Sequence, residues 1–256
     1  MLDFISHYPY LSNPWLVGLG LNAALLGMSF PVVKKLLTPA GIFHAGILGV
    51  LVWGTLGWRG YGLVVFYFLA GSAVTRIGMA QKEAAGIAEK RHGMRGPENV
   101  WGSALVGTLC ALATLVASPP NPLSGELLLL GYLASFSTKL SDTCASEVGK
   151  AYGQRTFLIT TLQPVPRGTE GAVSLEGTLA GIVASGAIAF LGFTLGFTNL
   201  SGVLICVVAS FIATNLESVI GATLQSRFTW LTNEVVNIIN TAIGSTAAIL
   251  LGAFLL

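Results

Sequence analysis

Charged residues are scarce in this chain. Only 9% of its 256 residues are Asp, Glu, Lys or Arg, whereas 53% are hydrophobic and the mean hydropathy is +0.76. This composition excludes an ordinary soluble globular domain. The net charge of +2 is too small to favour nucleic acid as a partner. Several apolar runs reach about 18–20 residues, the length that a helix needs to cross a bilayer. The sequence therefore predicts an all-α, polytopic transmembrane helical bundle that forms one integral-membrane domain over residues 1–256.

Motifs of several enzyme classes are also missing. The chain has no G-x-S-x-G elbow, no H-E-x-x-H pair and no G-x-x-x-x-G-K-S/T phosphate loop. Its cysteines Cys110, Cys144 and Cys206 are far apart and lack metal-ligand spacing, so we expect buried core residues. The start, Met1 to Phe4, lacks the positive region of a signal peptide, and we expect no cleavable leader there.

The apolar segments predict seven or eight membrane spans. With eight, the spans are Pro14–Val33, Gly41–Gly57, Tyr61–Met79, Asn99–Ala117, Glu126–Leu140, Leu175–Phe197, Leu200–Leu216 and Val235–Leu256. If these spans alternate, every Lys and Arg except Arg59 falls on one side, which is the cytoplasmic side by the positive-inside rule. Polar loops at about 80–98, 141–174 and 217–234 share that side, and both termini lie opposite. We expect a plasma or thylakoid-type membrane.

A polar stripe follows the fifth predicted span. On a helix continued through Lys150, side chains within about 80° of each other form its centre. These are Lys139, Thr143, Glu147 and Lys150, with Asp142 and Ser146 on one flank. Carboxylates there can hold Mg²⁺ beside substrate phosphates, and lysines can neutralise phosphate charge. The alternative is a structural salt-bridge stripe, for instance between Glu147 and Lys150. The stripe alone does not separate these readings.

A glycine-rich segment, Pro166–Gly177, opens the sixth predicted span. Glycines let backbone amides approach an anion, and helix N-termini favour phosphate. Arg167 can clamp a phosphate in bidentate fashion. The alternative is a polar turn in which Ser174 caps the helix.

A basic segment lies between Lys82 and Asn99. Its positive residues include Lys82, Arg91 and Arg95, which can recruit an anionic substrate. The alternative is ordinary positive-inside anchoring with attraction to anionic lipid.

Amides and carboxylates recur near the ends of the last two predicted spans. A carboxylate at a span end typically binds a metal ion or a proton, or pairs with a lysine. Amides inside membrane helices can simply hold helices together. The residues are Asn215, Glu217, Gln225, Asn233, Glu234 and Asn237.

Together these motifs resemble a known family. They read Ser141-Asp142-Thr143-x-Ala145-Ser146-Glu147-x-Gly149, Gly168-Thr169-Glu170-Gly171-x-x-Ser174-x-Glu176-Gly177-Thr178, Lys90-Arg91-x-x-x-Arg95-x-x-Glu98-Asn99-Val100, Glu217-Ser218-x-x-Gly221-Ala222-x-x-Gln225 and Asn233-Glu234-x-x-Asn237. The chain from about Pro31 onward is similar to the integral-membrane phytyl-phosphate kinases of photosynthetic organisms. Members often carry an aspartate near Asn215 or Glu217, so the carboxylate pattern departs there. A looser similarity links the chain to CTP-dependent polyprenol kinases and phosphatidate cytidylyltransferases.

The resemblance implies a kinase that converts phytyl phosphate to phytyl diphosphate for tocopherol and prenylquinone synthesis. It implies CTP as the phosphate donor, Mg²⁺ as the cofactor and the lipid bilayer as the environment of the substrate. A lipid cytidylyltransferase is the alternative enzyme. A membrane transporter with intramembrane carboxylates is the alternative from another class.

The same resemblance suggests a role for each candidate residue. The expected catalytic residues are Asp142, Glu147, Lys139 and Glu170, of which Asp142 and Glu147 hold the metal. The expected nucleotide and phosphate contacts are Thr143, Ser146, Gly149, Lys150, Arg167, Gly168, Thr169, Gly171 and Ser174. Lys82, Arg91, Arg95 and Asn99 recruit the prenyl phosphate. The supporting residues are Glu176, Asn215, Glu217, Gln225, Asn233, Glu234 and Asn237.

Overall fold

The structure, a computed structural model, describes residues 13–117 and 122–256 and is mainly helical. The helices are α1 (Pro14–Met28), α2 (Phe30–Val33), α3 (Pro39–Thr75), α4 (Met79–Ala84), α5 (Pro97–Ala113), α6 (Pro122–Tyr152), α7 (Leu175–Thr194), α8 (Leu200–Ile220) and α9 (Asn233–Leu255). A short hairpin pairs β1 (Thr156–Leu158) antiparallel with β2 (Ala172–Ser174). The prediction of a helical membrane bundle is confirmed. The sequence pattern of residues 151–174 does not decide between a hairpin and an irregular loop, and the structure shows the hairpin.

Four helices are long and apolar enough to cross a membrane, counted over the described ranges alone. They are Pro39–Thr75, Leu175–Thr194, Asn233–Leu255 and Leu200–Gln225, in which a π-helical turn (Gly221–Gln225) continues α8. Each of the eight predicted spans falls on a helix, although the number of spans stays a prediction. The predicted connection around residues 118–121 and the start of the chain lie outside the described residues.

Helix α3 contains the second and third predicted spans in one element. Its backbone breaks at Gly57, where φ is 63° and ψ is −154°, a conformation that glycine adopts without a steric penalty. Thr38 caps the helix by accepting a hydrogen bond from the Gly41 amide at 3.1 Å, and Pro39 occupies the first turn. The two halves therefore correspond to two predicted spans with a glycine break between them.

Two predicted boundaries were wrong. The first span is interrupted at Ser29, where α1 ends and α2 begins. The fifth span continues to Tyr152, so the loop predicted at 141–174 begins twelve residues later, after Tyr152. The residues of the polar stripe are thus helical through Lys150, as the sequence analysis assumed.

Helix α6 is the central element of the bundle. It packs against α3, α5, α7, α8 and α9. Its apolar residues Leu130, Tyr132, Leu133 and Phe136 are fully buried and belong to one continuous core cluster. The three cysteines are buried and free, as expected. The polar stripe therefore continues a helix whose middle part is enclosed by protein on every side.

Small residues bring α7 close to the polar half of α6. A Cβ atom at Gly181 would lie 3.0 Å from the Ser141 carbonyl oxygen, and one at Gly177 would collide with the Ala145 carbonyl. Such glycines allow close backbone approach between membrane helices. This contact places the start of α7 beside the polar stripe.

Candidate active site

A cavity of about 1070 Å³ lies at one end of the bundle. It is bounded by the C-terminal ends of α3, α6 and α8, by the N-terminal ends of α5, α7 and α9, and by the loops that join them. We call this the polar end. The sequence-predicted residues that line the cavity are Arg91, Arg95, Asn99, Lys139, Asp142, Thr143, Ser146, Glu147, Gly149, Lys150, Gly168, Thr169, Glu170, Gly171, Ser174, Asn215, Glu217, Gln225, Asn233, Glu234 and Asn237.

Three predicted residues do not line this cavity. Lys82 is buried, and its ammonium donates to the Thr75 carbonyl at 2.8 Å and pairs with Glu147. The Arg167 guanidinium donates to the Ala151 carbonyl at 3.1 Å, near the end of α6, and borders a smaller cavity of about 310 Å³. Glu176 accepts a hydrogen bond from the Gln154 amide at 3.3 Å. The recruitment role of Lys82 and the phosphate-clamp role of Arg167 are therefore corrected, because neither side chain lines the cavity.

Lys139 joins two helices at the floor of the cavity. Its ammonium lies 2.6 Å from Asp142 Oδ2 on α6 and 2.8 Å from Asn237 Oδ1 on α9. Lys139 is almost completely buried, and a buried ammonium requires such partners. The bonds fix the orientation of the ammonium and of the Asp142 carboxylate. A positive and a negative group are thus held side by side in the cavity wall.

Glu147 is engaged by cations on both of its carboxylate oxygens. Oε2 pairs with Lys82, and Oε1 lies 3.9 Å from Lys150. Lys150 also lies 3.4 Å from Glu89. The salt-bridge reading of the stripe is therefore correct for Glu147. We revise the predicted metal pair accordingly, because Glu147 has an ammonium group on each oxygen and is 3% exposed, whereas Asp142 has one ammonium neighbour and is 12% exposed.

The cavity is lined by further carboxylates besides Asp142. They include Glu170 of the glycine-rich loop and Glu217 of α8. Over the described ranges, no cluster of three or more His, Cys, Asp or Glu is arranged to hold a metal. Mg²⁺ nevertheless needs only one or two carboxylates when substrate phosphates complete its shell. Asp142 with Glu217 or Glu170 fits that requirement.

Arg91 lies on the loop before α5. Its guanidinium pairs with Glu98 and donates to Asn99 Oδ1 at 3.0 Å. The hydrogen bond from Arg91 lowers the pKa of Glu98, which precedes the predicted span. Asn99 also accepts from the Gly96 amide at 2.9 Å, so it closes the first turn of α5. Asn99 therefore has a structural contact in addition to lining the cavity.

Arg95 is held against α3. It donates to the Tyr67 hydroxyl at 3.0 Å and lies 5.5 Å from the centre of the Tyr67 ring. A Cβ atom at Gly71 would lie 2.7 Å from Arg95 Nη2, so only glycine leaves room for the guanidinium there. The Arg95 backbone also pairs with Leu36 and Thr38. Tyr67 and Gly71 are contributors to the site that the sequence reasoning missed, since both resemble ordinary helix core residues.

The glycine-rich loop is fixed to the neighbouring helices. Gly168 and Gly171 have positive φ values of 82° and 75°. A Cβ atom at Gly171 would lie 2.5 Å from the Ser218 carbonyl oxygen of α8. Ser174 accepts a hydrogen bond from the Gly177 amide at 3.1 Å, so the N-cap alternative is confirmed for Ser174. The loop forms one wall of the cavity at the start of α7.

The family of the chain follows from comparison with known proteins. A profile of the family described as "Integral membrane protein DUF92" matches residues 22–245. The chain belongs to this family. It is 64% identical over 239 residues to the uncharacterized membrane protein sll0875 of Synechocystis sp., which covers 93% of this chain and 92% of that protein.

Two further relatives extend the comparison. The protein VTE6, chloroplastic, of Arabidopsis thaliana is 46% identical over 247 residues, which are 96% of this chain and 74% of that protein. The uncharacterized membrane protein MJ0933 of Methanocaldococcus jannaschii is 31% identical over 219 residues, which are 85% of this chain and 87% of that protein. No solved structure matches the chain.

Proposed function

We propose that this DUF92 protein is a prenyl-phosphate kinase that converts phytyl phosphate to phytyl diphosphate with a nucleoside triphosphate, CTP being the expected donor. One observation carries the proposal. A single cavity at the polar end combines cations of α6 and the basic loop with carboxylates of α6 and α8. Phosphoryl transfer requires this combination of positioning, charge neutralisation and metal ligation, and it requires no nucleophile from the protein.

The reaction assigns tasks to the chain's own residues. An oxygen of the lipid phosphate attacks the γ-phosphorus of the nucleotide, and the nucleoside diphosphate leaves with the electron pair of the broken bond. Lys139 and Lys150 hold phosphate oxygens, while Arg91 and Arg95 hold the lipid phosphate at the loop side. Asp142 and Glu217 would hold Mg²⁺, which supplies neutralisation of the phosphate charge when it is bound.

The hydrophobic helices around the cavity support a lipid substrate. A tail buried in lipid gains about 0.8 kcal/mol per CH₂, so the tail stays in the bilayer while its phosphate reaches the polar end. The positive-inside pattern supports a cytoplasmic polar end, where soluble nucleotides are available. The product would then serve tocopherol and prenylquinone synthesis, as the family resemblance implies.

A transporter is less well supported by the same geometry. Transporters place their substrate groups near the middle of the membrane, at the interface of internal repeats. Here the cavity is bounded by helix ends and the loops between them. A lipid cytidylyltransferase would use the same kind of cavity. Its product, a nucleotidyl lipid, distinguishes it from a kinase, whose product is a lipid diphosphate.

The test uses the purified full-length protein in lipid nanodiscs. Phytyl phosphate is offered with CTP, ATP, GTP or UTP, each with Mg²⁺ or with a chelator, and products are weighed by mass spectrometry. We expect phytyl diphosphate in the presence of Mg²⁺, most with CTP. A nucleotidyl lipid would identify a nucleotidyltransferase instead, and absence of any lipid product would refute the proposal.

A further inference from the structure

The cavity has an apolar side wall within the hydrophobic part of the bundle. Ile182 of α7 and Phe211 of α8 line the cavity and are 36% and 44% exposed. One helical turn nearer the polar end, Thr178 and Asn215 line it as well. The wall between α7 and α8 therefore changes from polar to apolar with increasing depth.

The apolar part of this wall lies level with Lys139. Gly181 packs against Ser141, with a Cβ position 3.0 Å from the Ser141 carbonyl oxygen. Ile182, the next residue of α7, is consequently at the depth of the α6 turn that begins with Lys139. The wall thus lies at the depth of the α6 turn Lys139–Asp142, about two helical turns below the start of α7.

Helices α7 and α8 contact each other farther from the polar end. A Cβ atom at Gly186 would lie 3.9 Å from Val207 Cγ2, an ordinary van der Waals distance. Beyond that point the chain turns back from Thr194 to Leu200. Helices α7 and α8 are therefore in contact in the halves nearer the turn that joins them. In the halves nearer the polar end, both helices contribute residues to the cavity wall.

We propose that Ile182 and Phe211 border a lateral portal between α7 and α8, through which the hydrocarbon tail of an isoprenoid monophosphate extends from the cavity into the bilayer. The charge arrangement supports this occupant, since an anionic head group would meet Lys139 while the tail would meet the partly exposed apolar side chains of Ile182 and Phe211. This inference rests on the proposed function and adds the route and the chain-length specificity of its substrate.

The first test measures position and does not depend on turnover. Wild-type protein in nanodiscs is irradiated with a prenyl monophosphate that carries a diazirine in its tail, and labelled peptides are mapped by mass spectrometry. We expect labels on the turns of α7 and α8 that contain Ile182 and Phe211. Labels confined to α5, α9 or the polar loops, or absence of labelling, would overturn the portal.

The second test narrows the gap. Ile182→Trp is compared with Val183→Trp, its neighbour, which is 71% exposed and does not line the cavity. We expect Ile182→Trp to lower kcat/KM for phytyl phosphate by at least about tenfold while kcat/KM for the short, soluble dimethylallyl phosphate stays within about twofold. Val183→Trp should change neither value.

The outcomes of the two tests are distinguishable. Equal losses of kcat/KM on both substrates, or no loss on phytyl phosphate, would overturn the portal while leaving the kinase proposal intact. If the wild-type protein phosphorylates neither substrate, the proposed function fails, and the labelling pattern alone decides whether the tail lies between α7 and α8.

Discussion

Lys82 and Glu147 form a buried ion pair at the wall of the cavity, with side chains that are 0% and 3% exposed. Lys82 lies on α4, 65 residues before Glu147 on α6, and it also donates to the Thr75 carbonyl at the end of α3. The pair therefore ties the segment after α3 to the central helix. It explains why Glu147, although it lines the cavity, is not a free carboxylate there.

Removing one partner of this pair should destabilise the protein. Glu147→Leu leaves the Lys82 ammonium buried without a counter-ion, which costs about 3–5 kcal/mol of unfolding free energy. The double variant Lys82→Met with Glu147→Leu should recover most of that loss. Unfolding in mixed detergent micelles measures both, and Lys35→Met, at an exposed lysine, is the control. A Glu147→Leu protein as stable as the wild type would contradict the pairing.

Asp142→Asn should impair chemistry and also lower stability, because the buried Lys139 ammonium loses its carboxylate partner. The substitution keeps the shape of the side chain but removes the charge beside Lys139, and we expect a loss of about 10²–10³ in kcat. Glu176→Gln, at a carboxylate that does not line the cavity, should leave kcat unchanged. The measurement is kcat of each variant on folded, monodisperse protein. Equal kcat values for the two variants would show that Asp142 does not act in catalysis.

Glu217→Gln tests the revised metal assignment. If Glu217 shares Mg²⁺ with Asp142, the variant should need about tenfold more Mg²⁺ for its half-maximal rate, because one anionic ligand is lost. Magnesium titrations at saturating nucleotide measure this shift. An unchanged Mg²⁺ requirement would argue that Glu217 is not a ligand.

Gly71→Ala should displace Arg95. The added methyl carbon would lie 2.7 Å from Arg95 Nη2, whereas alanine at Gly62 of the same helix meets no atom within 4 Å. We expect Gly71→Ala to raise KM for the prenyl phosphate about tenfold, the magnitude of a lost hydrogen bond to a charged group. Gly62→Ala should behave like the wild type. Similar KM values for the two variants would show that the position of Arg95 is unimportant.

Gly171→Ala should move the glycine-rich wall of the cavity. Gly171 and Gly86 both have positive φ values, 75° and 69°, so alanine strains the backbone at either position. Only at Gly171 does the new Cβ collide, at 2.5 Å from the Ser218 carbonyl. Nucleotide KM should therefore rise in Gly171→Ala and stay near the wild-type value in Gly86→Ala. If both variants respond alike, backbone strain is the cause and not the contact with α8.

Helical periodicity predicted which side chains of α6 share one face. The continued helix places Lys139, Asp142 and Lys150 on the cavity wall, because a fixed rotation per residue decides which side chains share a face. The alternation of spans across the membrane likewise predicts that the C-terminal end of α8 and the N-terminal end of α9 lie on the same side as the polar stripe of α6.

Long-range partners could not be predicted in the same way. Nothing near Lys82 in the sequence indicates that its ammonium is buried against Glu147, and a single arginine such as Arg167 gives no sign that it bonds the Ala151 carbonyl. Charge alone therefore suggested recruitment and phosphate binding for side chains that stabilise the fold. The apolar wall at Ile182 and Phe211 was missed because such residues are ordinary in a membrane helix.

The most direct test of the central claim follows the phosphorus atom. Purified protein in nanodiscs is given phytyl phosphate and Mg²⁺ with CTP that is radiolabelled either at the γ-phosphate or at the α-phosphate, and the extracted lipid is counted. We predict that label from the γ-position enters the lipid in equimolar amount with the CDP formed, and that label from the α-position does not. Transfer of the α-label, or an unlabelled lipid fraction in both reactions, would contradict the account.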